Sequence, residues 1–72
     1  MSPNTLRNLW HLIEKTQGNI LLSMDDNRLV QWLIEQFQQE QSLDAKETNH
    51  VKNYLSSKLL LIRDLAQERM AT

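Results

Sequence analysis

The sequence predicts an all-α domain, a three-helix bundle with a long C-terminal helix that pairs with a second copy. Three observations lead there. The 72 residues hold one Gly and one Pro, so helix breakers are scarce. Apolar residues recur at i, i+3, i+4 and i+7 through most of the chain. A chain this short rarely draws more than ~3–5 kcal/mol from one core. With no cysteine and no evident metal cluster, self-association is the remaining common support.

Ser2-Pro3 offers an N-cap followed by Pro at the first helical position. Leu6, Leu9, Trp10 and Ile13 then make an apolar stripe. The first helix is expected from Pro3 to Gln17, with Gly18 as a left-handed C-cap. Asn19-Ile20-Leu21-Leu22 reads as an apolar connector, a loop or helical turn pinned to the core by its leucines. Ser23 is expected to cap a second helix from Met24 to Gln39, with Asp25 and Asp26 favoured at its positive end. Leu29, Val30, Leu33, Ile34 and Phe37 form its stripe. Gln36 to Ser42 is amide-rich and reads as the helix end and a connector. Asp44-Ala45-Lys46-Glu47 fits a capping box, with Leu43 as a hydrophobic staple. The third helix then runs to about Arg69, some ~37 Å at 1.5 Å per residue, with Ser56-Ser57 as its weakest point.

The third helix carries the clearest functional signal. With Val51 at zero and 100° per residue, Tyr54, Leu61 and Leu65 fall between about 280° and 320°. Leu55, Leu59, Ile62, Ala66 and Met70 fall between about 20° and 100°. The apolar arc covers about 180°, more than one buried stripe requires. Lys58 and Arg69 lie inside it and Leu60 lies opposite. Two arrangements fit. In one, Leu65 to Met70 overhangs the bundle as a partner site. In the other, the helix kinks or ends early and all packs within one chain. On the second helix Trp32 lies near 300°, outside the 0–140° stripe, and Trp is frequent at interface hot spots. Trp10 reads as core. The expected interface residues are therefore Trp32, Leu61, Leu65 and Met70.

Composition narrows the function classes. Lys and Arg number 8, Asp and Glu 9, and net charge is -1, unlike a strongly basic nucleic-acid module. A 40% apolar content argues against full disorder. The longest large-apolar run is Leu59 to Ile62, far below the roughly 18–20 residues of a spanning helix. Met1 to Thr5 contains no apolar signal-peptide core, so a cytoplasmic protein is expected.

Chemical motifs are scarce. His11 and Glu14 are i, i+3 neighbours in the reverse of the di-iron order, and His50 stands alone. Asp25-Asp26 lacks the spaced oxygens of a calcium loop. Gly18 alone makes no phosphate loop. No catalytic, cofactor or metal site is expected, and no enzyme activity. A dimeric DNA-binding regulator of helix-turn-helix type is the alternative, if a dimer gathers Lys46, Lys52 and Lys58 on one side. Arg28 and Gln31 stand beside Asp25 and Asp26, whose carboxylates repel phosphate, so nucleic acid ranks below a protein partner. The polar faces of the helices mix both charge signs and many amides, unlike a membrane-surface helix.

The stretches Leu9 to Gln17, Leu29 to Leu33 and Leu61 to Ala66 resemble those of short helical proteins of cyanobacteria. That resemblance implies a cytoplasmic protein and brings no activity or site residues. The function expected is a non-enzymatic interaction or regulatory module, acting on itself or on a helical protein partner.

Overall fold

The computed structural model describes residues 1–71. Helix α1 spans Pro3–Lys15. Ser2 Oγ accepts the Thr5 N–H at 3.1 Å, and Pro3 occupies the first turn, where its missing N–H goes unnoticed. The helix stops two residues before the expected Gln17. Thr16 stops it: its backbone is extended, its N–H reaches back to Leu12 and Ile13, and its buried hydroxyl donates to the Leu12 carbonyl at 2.7 Å.

Gly18 is not a left-handed cap, since no glycine has positive φ. It opens helix α2, Gly18–Ser23, so the described residues form four helices where the sequence predicts three. Six residues are too few to hold a helix alone. Tertiary contact holds this one: Leu21 is fully buried and α2 packs on the last helix. The glycine matters for closeness. A Cβ at position 18 would lie 3.0 Å from Met70 Cγ and Sδ and 3.2 Å from the Ala66 carbonyl.

Helix α3 spans Asp26–Glu40. Its cap is Asp25, which accepts the Arg28 N–H at 2.8 Å. Ser23, the cap expected from sequence, instead finishes α2 and donates its hydroxyl to the Ile20 carbonyl. The buried side of α3 is the expected one: Leu29, Val30, Leu33, Ile34 and Phe37.

Helix α4 spans Ala45–Met70, with Asp44 accepting the Glu47 N–H at 2.7 Å. Leu43 packs against the core at its entry. The helix runs unbroken through Ser56-Ser57, where Ser57 bonds its hydroxyl to the Tyr54 carbonyl at 2.7 Å. Twenty-six residues span ~39 Å. The molecule's longest dimension is 37 Å, so α4 sets it.

Helix α4 packs on α2 and α3, and α1 packs on α3. Its buried line is Val51, Leu55, Ile62 and Ala66. The C-terminal segment does not overhang. Helix α2, absent from the predicted bundle, lies against it, and Met70 touches Gly18. Among the described residues no helix is long and apolar enough to cross a membrane.

Candidate protein-interaction site

Two arginines of α4 fix the ends of the earlier helices. Arg63 donates to the carbonyls of Leu21 at 2.9 Å and Met24 at 2.8 Å, and pairs with Asp26 at 2.9 Å. It closes the end of α2 and carries the chain into α3. Arg69 donates to the carbonyls of Glu14 at 2.7 Å and Thr16 at 3.2 Å, closing α1. A cation at a helix C-terminus meets the negative end of the dipole and carbonyls left without intrahelical partners. This explains why Arg69 sits inside an apolar arc.

A second link joins α1 to α4. Trp10 Nε1 donates to Tyr54 Oη at 2.7 Å, with the rings edge to face, 6.4 Å apart at 88°. Trp10 is thus half-buried and hydrogen-bonded, where the sequence reading made it plain core. Lys58 Nζ lies 5.9 Å from the centre of the Tyr54 ring.

A groove of about 680 Å³ lies between α1 and α4. Trp10 and Ile13 line it from α1, Ile62 and Leu65 from α4. Glu14, Glu68 and Arg69 supply its polar lining. Leu65 is 41% exposed and Leu61, one turn earlier on the same face, is 45% exposed. This side of α4 is the flank of the arc that the buried line does not use.

The four interface residues expected from sequence therefore separate. Leu61 and Leu65 share the α4 face, and Leu65 shares the groove with Trp10. Met70 is 55% exposed but lies about 140° around the helix from Leu65, against Gly18. Trp32 is half-buried at the core edge and lines another hollow, of about 530 Å³, with Met24, Arg28 and Glu35. The sequence reading missed Trp10 and Ile13 as groove residues. The available signal was the Trp10 N–H and the Tyr54 hydroxyl, polar groups that need partners wherever their rings are covered.

Little here suits bond chemistry. His11 and His50 are exposed, and no group of three or more His, Asp or Glu side chains able to hold a metal occurs among the described residues. The groove is open and largely apolar. Fold and face together define a small all-α chain with an apolar groove between two helices. Compared with known protein families, curated proteins and solved structures, the chain finds no match.

Proposed function

We propose that this chain is a non-enzymatic protein-interaction module that receives an amphipathic helix on the α1–α4 face. The observation that supports the reading is the pair Leu61 and Leu65, 45% and 41% exposed, beside a groove lined by Trp10, Ile13 and Ile62. Leucines left half in water next to a large apolar hollow gain most from a partner that covers both. The cytoplasmic setting expected from the sequence belongs to the same proposal.

The charge pattern favours a protein partner over DNA. Arg63 and Arg69 are turned onto backbone carbonyls, and Lys15 pairs with Glu40 at 2.7 Å. Each of these cations is already engaged within the chain, Arg63 half-buried and Lys15 and Arg69 at the surface, which leaves a thinner basic face for phosphates.

The test is affinity capture under mild salt with tagged wild type and tagged Leu65→Asp, both verified helical by circular dichroism. The expected result is a polypeptide, untagged copies of the chain included, held by wild type and lost from the variant. An identical set of captured proteins on both would remove the α1–α4 face from consideration.

A further inference from the structure

The exposed flank of α4 has a regularity of its own. Tyr54, Lys58, Leu61, Leu65 and Glu68 follow one another at steps of four, three, four and three. That is the seam spacing of a coiled coil, and it is centred about 90° round α4 from the buried line, with Tyr54 at its start held by Trp10. At its centre stand the two exposed leucines. On either side stands one charge, Lys58 before them and Glu68 after them.

The seam is symmetric about position 63. Leu61 and Leu65 are each two residues from it, and Lys58 and Glu68 are each five residues from it. Laid antiparallel on a copy of itself, the seam sets Leu61 against the other copy's Leu65. The same register sets Lys58 against the other copy's Glu68, on both sides of the two-fold axis. Antiparallel coils match the first apolar position of one heptad with the second of its partner, and these layers obey that rule. A parallel pairing would set Lys58 on Lys58 and Glu68 on Glu68, which like charge disfavours. The exposed Asp64 lies about 80° round from the seam, in solvent where salt screens its own repeat.

We infer that the partner on this face is a second copy of the chain, with the two α4 helices antiparallel, Leu61 packed on Leu65 and Lys58 paired with Glu68. This rests on the interaction reading above and names its partner. Both charges lie on an otherwise apolar seam and neither has an ion-pair partner among the described residues. The pairing answers that, and it fixes register as well as orientation.

Charge-reversed chains test it by sedimentation equilibrium. Wild type is expected to dimerise. Lys58→Glu and Glu68→Lys, each helical by circular dichroism, are each expected to weaken the dimer by about tenfold or more, because each places two like-charge contacts in it. An equimolar mixture of the two variants restores opposite charges at both contacts and is expected to dimerise. The double variant Lys58→Glu/Glu68→Lys is expected to self-associate within about threefold of wild type. A wild-type monomer at all concentrations would overturn the self-pairing, and Leu65-sensitive capture of another polypeptide would then leave the interaction reading standing alone. A dimer indifferent to both reversals places the contact elsewhere. A dimer weakened by each reversal but not recovered by mixing overturns the antiparallel register.

Discussion

Arg63 illustrates how much one side chain organises here. Its guanidinium reaches three acceptors, two of them carbonyls at the end of α2. It is 22% exposed against 73% for its partner Asp26. The two halves of the interaction therefore differ in worth. Arg63→Ala strands carbonyls that had a charged donor, and should cost about 2 kcal/mol in urea unfolding. Asp26→Ala removes only an exposed ion pair and should cost under about 0.5 kcal/mol. Equal losses would mean that the ion pair, and not the carbonyl clamp, is what Arg63 provides. Gly18 can be treated the same way. Gly18→Ala should cost under about 1 kcal/mol, because the half-exposed Met70 end can swing aside and only the Ala66 carbonyl must give by a few tenths of an ångström. Gly18→Val should cost about 2 kcal/mol, because its two γ-methyls add bulk beyond a Cβ that already sits 3.2 Å from the Ala66 carbonyl of the α4 backbone. The cap residues Ser2 and Asp44 were legible in sequence, since capping is local chemistry. Arg63 and Arg69 were not, because their acceptors lie 37 or more residues away.

At the scale of the element, α4 divides by angle. Its buried line and its exposed flank differ by about a quarter turn, and a broad apolar arc in sequence contained both. Ile62→Ala, on the buried line, should destabilise by about 2–5 kcal/mol. Leu60→Ser, at 77% exposure on the far side, should stay within about 0.5 kcal/mol of wild type. Thermal melts at a single protein concentration would separate them. Helix α2 marks the limit of pattern reading at this scale. Six residues are too short to show a helical period. The Gly that opens them suggested an end where the fold makes a beginning. The long stripes of α1, α3 and α4 were readable because each repeats over three turns or more. Their boundaries shifted by a residue or two where Thr16 and Asp25 outcompeted Gly18 and Ser23.

For the whole molecule, the division of labour is uneven. Helix α4 contacts both α2 and α3, and reaches α1 through Arg69 and through the Trp10–Tyr54 pair. Removing α4 would uncover the Leu21 side of α2 and the face of α3 that pack on it. A chain truncated after Leu43, before α4 begins, should lose most helical circular dichroism signal, not just the fraction belonging to the missing residues. Survival of α1 to α3 as a folded unit would contradict that. The Trp10–Tyr54 hydrogen bond should show in a double-mutant cycle, with Trp10→Phe and Tyr54→Phe coupled by about 1 kcal/mol. The fold class was visible from the sequence because periodicity and the shortage of breakers determine it. The groove was not, because it arises from how α1 and α4 sit on α3, a property of packing that no single stripe records.

The two arginine clamps also impose an order in time. The ribosome makes the chain from α1 onward, so the carbonyl ends of α1 and α2 emerge before the side chains that close them. Arg63 lies 42 residues beyond Leu21, and Arg69 lies 55 beyond Glu14. Until α4 leaves the exit tunnel, the nascent helices have an open core and lack the arginine donors at their carbonyl ends. Folding is therefore a late event of translation, completed in one closing step. A force-sensing arrest peptide fused behind the chain should report pulling only at linker lengths that free Arg69.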